Sequence, residues 1–292
     1  MNDPVKAYKN LDFLNSPAAR TIRMVCEYEE PRQRFLRHRV RDTIVFFGSA
    51  RAVPEEQARG DLADAQRELV RAEGEYDRLE LERKVRQSER RLRLSRYYDD
   101  SRELARRLTE WDMKRKGRRR YYVCTGGGPG TMEAANRGAA DVVGGRSVGL
   151  RISLPFEEKL NSYVPKDLSF EFHYFFMRKY WFLYLAKAMV FMPGGFGTMD
   201  EMFETVTLCQ TGKVHKALPM VLFGTEYWND VFRVDKMVEW GTISEKDVHL
   251  FHRTDDLDDA FDYLVENLVA AEEREALSRR DGEDRPSQTD AP

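Results

Sequence analysis

The stretch Ala188-Met-Val-Phe-Met-Pro-Gly-Gly-Phe-Gly-Thr-Met-Asp-Glu201 joins an apolar run to a glycine-rich loop and then to a helical pattern. A short apolar run of this kind predicts a buried strand, and the loop predicts a tight turn into a helix. A second stretch repeats this order, since the apolar run Tyr121–Cys124 precedes the loop Thr125-Gly-Gly-Gly-Pro-Gly-Thr131. Two strand–loop–helix units are typical of a sheet whose strands run parallel.

The rest of the central region continues the alternation of strands and helices. Apolar runs predict strands at Asp42–Phe47, Ser147–Leu154 and Pro219–Phe223. Helical patterns follow the first glycine loop as far as Ala140 and also cover Met177–Lys187. Strands that alternate with helices form parallel sheets covered on both faces. We therefore predict an α/β fold, a Rossmann-like doubly wound parallel sheet with helices on both faces.

The organisation of the chain around this sheet follows from changes in composition. An N-terminal helical segment, the sheet domain and a charged, disordered tail are predicted at 1–40, 41–270 and 275–292. Residues 54–96 are rich in Glu, Arg, Leu and Gln and predict an inserted long helical arm. This arm is either one amphipathic helix or a helical hairpin broken at Gly74. A separate helix is predicted from Tyr97 to Trp111.

Composition limits the partners and the location of the protein. Hydrophobic residues make up 41% of the chain, but no run reaches the roughly 18 apolar residues that a membrane span needs. The net charge of −2 argues against a nucleic-acid partner, so Arg83–Arg96 and Lys114–Arg120 are expected to be solvated helix faces. Nucleic-acid binding is the alternative for these basic runs. The isolated cysteines Cys26, Cys124 and Cys209 predict reduced thiols and a cytoplasmic protein.

Both glycine loops have the features of an anion site. Glycines let the backbone approach an anion closely, and the start of the following helix offers N–H groups and the positive end of the helix dipole. Neither loop has the Lys-Ser/Thr pair of a P-loop or the third glycine of the dinucleotide fingerprint. A tight structural turn without a ligand is the alternative for either loop. Two such loops on one parallel sheet predict a nucleotide or phosphosugar site at its switch point.

Arg178 and Glu201 are the candidate catalytic pair. Thr198 and Glu201 have the spacing of a capping box, in which Thr198 caps the helix and Glu201 bonds back to the cap. The functional interpretation of Glu201 is a carboxylate at the rim of an anion-binding loop. Arg178 and Lys179 lie in the otherwise strongly apolar stretch Met177–Phe182, so this charged pair is expected to face a cleft or a partner.

These residues resemble the LONELY GUY (LOG) family of cytokinin-activating phosphoribohydrolases, once widely labelled lysine decarboxylases. The family pattern is an Arg-Lys pair followed by P-G-G-x-G-T-x-x-E, which Arg178-Lys179 and Pro193–Glu201 match. Residues 126–139 are similar to the larger bacterial members, some of which are labelled AMP nucleosidase. The turn Gly48-Ser49-Ala50-Arg51 resembles the first strand-end turn of those members.

The resemblance implies hydrolysis of the N-glycosidic bond of a nucleoside 5′-monophosphate, AMP or a cytokinin riboside monophosphate, to a free base and ribose 5-phosphate. It makes Arg178 and Glu201 catalytic, with Glu201 acting either as a base or as a charge stabiliser. The expected substrate-binding residues are Lys179, Gly194, Gly195, Gly197, Thr198, Thr207, Gly127, Gly128, Gly130, Thr131 and Ser49. No cofactor and no metal are expected, and the site is expected near the interface of a homodimer or larger homo-oligomer.

Other interpretations compete with this one. A nucleotide-binding sensor on the same sheet would bind without cutting, but binding alone would not demand a carboxylate beside a phosphate. A decarboxylase needs a lysine for a pyridoxal Schiff base, and no lysine stands out. Met177 adjoins Arg178, whereas smaller family members carry Met three residues before the arginine, which leaves the preferred base open. Nearby aromatic side chains are expected in the core or an interface rather than stacked on a base, namely Phe170, Phe172, Tyr174, Phe175 and Phe176.

Overall fold

A parallel sheet forms the centre of the computed structural model, which describes residues 4–115, 120–153 and 160–280. Its seven strands within these residues are β1 (Asp42–Phe47), β2 (Tyr121–Thr125), β3 (Ser147–Ile152), β4 (Ser169–Phe172), β5 (Ala186–Phe191), β6 (Met220–Phe223) and β7 (His252–Thr254). Their order is β4-β3-β2-β1-β5-β6-β7, and each neighbouring pair runs parallel. The predicted fold class is confirmed.

The helices alternate with the strands along most of the chain. They are α1 (Leu11–Asn15), α2 (Arg20–His38), α3 (Glu55–Val70), α4 (Glu75–Lys114), α5 (Thr131–Ala140), α6 (Phe175–Leu185), α7 (Phe196–Gln210), α8 (Thr225–Val231), α9 (Val234–Glu239) and α10 (Leu257–Arg280). Short 3-10 turns lie at Ala7–Lys9, Pro17–Ala19, Lys166–Leu168 and Glu245–Leu250. Among the described residues, none of these helices is long and apolar enough to cross a membrane.

The sheet is buried on both faces because the side chains of β1 alternate between two apolar cores. Val45 and Phe47 belong to a core that also contains side chains of α2, α6 and α7. Ile44 and Phe46 belong to the opposite core, which contains side chains of α4, α5 and α10. Burial of both faces explains why residues 44–47 of β1 form a continuous apolar run rather than an alternating one.

The strand order changes direction at β1, and this change fixes where the loops meet. The chain places β2, β3 and β4 on one side of β1, and then β5, β6 and β7 on the other. Ile44 of β1 pairs with Val123 of β2, and Phe46 pairs with Val190 of β5. The carboxyl ends of β1, β2 and β5 are therefore adjacent, at the crevice where ligands bind in open α/β sheets.

The 54–96 segment forms a helical hairpin whose second helix continues into the sheet domain. α3 and α4 meet at a turn that ends at Gly74, the N-cap of α4. The prediction of a separate helix from Tyr97 to Trp111 is wrong, because α4 runs unbroken as far as Lys114. No glycine or proline interrupts α4, so nothing in its sequence stops the helix. Its second half buries Leu104 against the sheet.

Most cations of the basic run Arg83–Arg96 face carboxylates within the chain. The ion pairs are Lys84–Glu68, Arg86–Glu82, Arg91–Asp61, Arg93–Glu226 and Arg96 with Asp100 and Asp255. A phosphate backbone would have to displace these internal partners before it bound the arm. The pairing supports the expectation of a solvated helix face. In the second basic run, residues 116–119 lie outside the described residues.

Several predicted boundaries differ from those observed. α6 begins at Phe175 rather than at Met177, and β3 ends at Ile152, with Leu154 outside the described residues. The edge strands β4 and β7 were not predicted, because they contain only four and three residues, too few to give a clear periodic signal. α10 continues to Arg280, so a helix covers the start of the predicted tail, and 281–292 lie outside the described residues.

Candidate active site

Three turns meet at the carboxyl ends of the central strands. The turn after β1 lies between the two glycine loops and is bonded to both of them. The Ser49 N–H donates to the Pro193 carbonyl at 3.0 Å, and the Ser49 carbonyl accepts from the Thr131 N–H at 3.0 Å. The structure therefore brings Ser49 and both predicted loops into one crevice.

The first glycine loop is packed tightly against its neighbours. Gly127, Gly128, Gly130 and Thr131 are all buried. Gly130 has a φ of 71°, and a Cβ there would overlap the backbone of Ser49 and the residue after it. The turn itself therefore requires this glycine. For the first loop, close packing accounts for glycine whether or not a ligand binds.

The second glycine loop is open, in contrast to the first. A Cβ at Gly195 or Gly197 would meet nothing within 4 Å, and neither residue has a positive φ. Gly194 differs, because a Cβ there would overlap the Thr198 side chain. Glycine within a helix costs about 0.5–1 kcal/mol relative to alanine, and no contact in the described chain requires it at Gly197. The described chain therefore leaves the space beside Gly195 and Gly197 open at the start of α7, where an anion could approach.

The predicted capping box is wrong. α7 begins at Phe196 with Gly195 as its N-cap, so Thr198 lies inside the first turn rather than before it. The Thr198 N–H donates to the Gly195 carbonyl at 3.0 Å, because the loop enters the helix directly after its second glycine. Glu201 consequently has no capping role, and its carboxylate is directed towards the side chains of α6.

Arg178 and Glu201 lie side by side near the open loop. Arg178 Nη2 is 3.5 Å from Glu201 Oε1, and their side chains are only 16% and 7% exposed. The guanidinium also lies 5.5 Å from the ring centres of Phe175 and Phe182. A Cβ at Gly126 would be 3.9 Å from Arg178 Nη1, so the first loop borders the same pair. The predicted catalytic residues are thus neighbours in the crevice.

Burial shifts the pKa values of the pair in opposite directions. Burial raises the pKa of Glu201, and the nearby charges of Lys179 and Arg178 oppose that rise without cancelling it. Burial lowers the pKa of Arg178, and Glu201 opposes that change. A carboxyl group whose pKa is raised in a crevice is suited to proton transfer and to stabilising a developing positive charge.

Lys179 lies beside Glu201 and is surrounded by carboxylates. Its Nζ is 2.8 Å from Asp200 Oδ2, 2.8 Å from Glu204 Oε2 and 3.6 Å from Glu201 Oε2. Burial alone would lower the pKa of Lys179, but its hydrogen bonds to Asp200 and Glu204 raise it overall. Lys179 is therefore held as an ammonium ion at the site.

Thr207 lies away from the crevice, and the predicted aromatic side chains lie partly in the core and partly on the surface. Thr207 is exposed, donates to the Phe203 carbonyl, and lies about 14 Å along α7 from Thr198. The structure therefore does not bring Thr207 to the open loop of its own chain. Among the aromatic side chains, Phe170, Phe172 and Tyr174 are buried, whereas Phe175 and Phe176 are 50% and 51% exposed.

A buried polar network that the sequence did not reveal supports the first loop. Thr125 Oγ1 donates to Asn136 Oδ1 at 2.7 Å and accepts from the Gly127 N–H at 2.9 Å. Asn161 Nδ2 donates to the Gly128 carbonyl at 3.0 Å and to Asn136 Oδ1 at 2.9 Å. These residues come from three separate parts of the chain, and no local pattern marks them. By contrast, Asp200 and Glu204 could have been found, because residues four apart share a helix face.

We expect Thr125→Val to destabilise the protein by about 1–3 kcal/mol, because it leaves the buried Gly127 N–H without its acceptor. Chemical denaturation followed by circular dichroism measures this change in the free energy of unfolding. Thr125→Ser keeps the hydroxyl and is the matched control, for which a smaller loss is expected. Equal stability of the valine variant and the wild type would contradict a structural role for the network.

One family model matches part of this chain. Residues 132–264 match the family model described as "Possible lysine decarboxylase". The matched region begins directly after the first glycine loop and includes α6, the second loop and α7. No curated protein matches the chain.

Proposed function

We propose that this protein is a nucleoside 5′-monophosphate N-glycosidase. The match of residues 132–264 to the "possible lysine decarboxylase" model, the historical description of the LOG family, supports this proposal. In the proposed reaction a water oxygen bonds to C1′ of the ribose while the bond from C1′ to the base nitrogen breaks. The base leaves with a proton, and ribose 5-phosphate is the other product. AMP and cytokinin riboside monophosphates are the candidate substrates.

The observation that carries the proposal is the buried pair Arg178 and Glu201 beside an open glycine loop. Cleavage of an N-riboside develops oxocarbenium charge on the sugar, which a carboxylate stabilises. The Glu201 carboxylate is 7% exposed and 3.5 Å from the Arg178 guanidinium, so it is held in a low-dielectric crevice where this stabilisation is strong. Arg178 can hold substrate oxygens through two parallel N–H groups.

The open loop supplies a place for the 5′-phosphate, away from the bond that breaks. The space beside Gly195 and Gly197 lets a phosphate approach the N–H groups at the start of α7. The binding energy of this remote group can then hold the ribose against Glu201, which raises the rate of the chemical step. A substrate that lacks the phosphate should therefore be cleaved more slowly.

The other candidate functions have less support from this geometry. A sensor that only binds nucleotides gains nothing from a buried carboxylate, because a negative charge near a phosphate weakens binding. A pyridoxal decarboxylase needs a lysine that loses its proton to form a Schiff base. Lys179 is the lysine beside Glu201, and its bonds to Asp200 and Glu204 favour the protonated form.

We also propose that the protein forms a homodimer or larger homo-oligomer through a face beside the site. Phe196 is 95% exposed, and Phe175 and Phe176 are each about half exposed. Exposed aromatic side chains are typical of surfaces that bind another protein. Light scattering or analytical ultracentrifugation measures the assembly, and a protein that stays monomeric at micromolar concentration would contradict this part of the proposal.

The direct test is release of free base from nucleoside 5′-monophosphates, followed by chromatography. We expect cleavage of AMP or of isopentenyladenosine monophosphate, with kcat/KM at least about 100-fold lower for the matching nucleoside without phosphate. The nucleoside is the matched control, because it has the same bond to break. If no monophosphate in the panel is cleaved, or if the nucleoside is cleaved equally well, the proposed function is wrong.

A further inference from the structure

The carboxylate of Glu201 is buried but makes few hydrogen bonds. The hydrogen bond that it accepts from a described side chain comes from Arg178 Nη2 at 3.5 Å, which is longer than an ordinary charge-assisted bond. Lys179 Nζ is 3.6 Å away, also beyond ordinary bonding distance. Buried carboxylate oxygens usually accept several short bonds. Most of the acceptor capacity of Glu201 is therefore unused within the described part of the chain.

Lys179 does not bond to Glu201 because other carboxylates hold its ammonium group. Its ammonium donates at 2.8 Å to Glu204 and lies 2.8 Å from Asp200, so two of its three N–H groups are occupied. Both partners lie on α7 on either side of Glu201, at positions 200 and 204. The side chain of Lys179 is long and flexible, and a small movement would bring Nζ within bonding distance of Glu201.

We propose that Asp200 and Glu204 are positioning residues that hold the ammonium of Lys179 away from Glu201, so that the Glu201 carboxylate is available to substrate. This inference rests on the proposed function, in which Glu201 acts on the ribose. Lys179 contributes positive charge beside Glu201 without bonding to it. Asp200 and Glu204 are 56% and 41% exposed, so neither needs to touch the substrate to have this effect.

The charges around Glu201 support the same arrangement. The side chains that face it from α6 are Arg178 and Lys179, and those on its own helix are Asp200 and Glu204. Burial raises the pKa of Glu201, Lys179 and Arg178 lower it, and Glu204 and Asp200 add to the rise. If Lys179 bonded directly to Glu201, the pKa of Glu201 would fall and its lone pairs would be occupied.

Two substitutions of Glu204 separate its charge from its bond to Lys179. Glu204→Gln removes the charge but keeps an oxygen that accepts from Lys179, whereas Glu204→Leu removes both. We expect the leucine variant to lose about 10-fold in kcat at the pH plateau. Lys179 then bonds to Glu201, and about one charge-assisted bond must break before the carboxylate can act on the substrate. The glutamine variant should keep most of its kcat, and KM should change little in either. The acid limb of the pH profile of kcat should move to lower pH in both variants, and further in Glu204→Leu than in Glu204→Gln.

Glu226→Leu is the matched control, because Glu226 is an exposed carboxylate whose ion-pair partner is Arg93 of α4. Its kcat and pH profile should equal those of the wild type. Equal kcat and equal acid limbs for Glu204→Leu and Glu204→Gln would overturn the positioning role, because charge alone would then account for Glu204.

A second measurement needs no substrate and so distinguishes failure of this inference from failure of the proposed function. The carboxyl carbons of glutamate are labelled with carbon-13, and the Glu201 signal is assigned by its loss in Glu201→Gln. Its titration midpoint should be lower in Glu204→Leu than in Glu204→Gln. Equal midpoints would overturn the inference even if base release is observed. A lower midpoint in the leucine variant would support the contact, even if no nucleotide is cleaved.

Discussion

We expect Glu201→Gln to lower kcat for base release by about 10²–10⁴-fold while KM changes much less. The substitution keeps the size of the side chain but removes the negative charge that stabilises an oxocarbenium-like sugar. Glu201 is buried beside Arg178, so no water molecule can replace that charge as effectively. Steady-state kinetics with the cleaved monophosphate measure the loss.

The pH dependence of the wild type provides a second measure of the same residue. Because burial raises the pKa of Glu201, kcat should fall as the pH falls through a midpoint above the ordinary value for glutamate. Protonation removes the charge, so the loss occurs on the acid side. Glu226→Gln, which changes an exposed carboxylate, should leave rate and profile unchanged. A Glu201→Gln variant as fast as the wild type would rule out the proposed mechanism.

Gly197→Ala should produce a protein that is more stable than the wild type and yet binds its substrate at least about 10-fold more weakly. Alanine replaces glycine in the first turn of α7, where a Cβ meets nothing within 4 Å. The gain in stability is about 0.5–1 kcal/mol, or roughly 1–4 °C in Tm. The same Cβ occupies the space in which we expect the phosphate, so KM should rise.

Gly60→Ala is the matched control for this experiment. Gly60 is an exposed glycine inside α3, and a Cβ there also meets nothing within 4 Å. It should raise Tm by a similar amount and leave KM and kcat unaltered. Differential scanning fluorimetry and steady-state kinetics on both variants give the comparison. An unchanged KM for Gly197→Ala would mean that the open loop does not hold the phosphate.

The sheet and its loops could be predicted because their signals are local. β1 was predicted with its observed bounds, since burial on both faces gives a run of apolar residues over most of the strand. The LOG family resemblance is likewise confirmed, because its motif is carried by neighbouring residues. The capping box failed for the opposite reason. Spacing alone could not show that Gly195 begins α7, which moves Thr198 into the helix.

The supporting parts of the site could not be predicted because they depend on contacts between distant segments. Asn161 reaches the first loop across more than thirty residues, through its bond to the Gly128 carbonyl. The difference between the packed loop and the open loop depends on which atoms surround each glycine, as at Gly130 and Gly197. Sequence motifs pointed to the candidate catalytic residues, whereas tertiary packing decides how each of them is held.

The unbroken course of α4 has a mechanical consequence for the arm. A helix of 40 residues is about 60 Å long, and the half that contains Leu104 is fixed between the sheet and α5. The outer half can therefore tilt as a rigid rod about the point where α4 enters the core. A tilt of roughly 5° about Tyr97 would carry the tip at Tyr76 through about 3 Å. A load on the tip would be transmitted as torque to a helix that packs on the same sheet as the crevice.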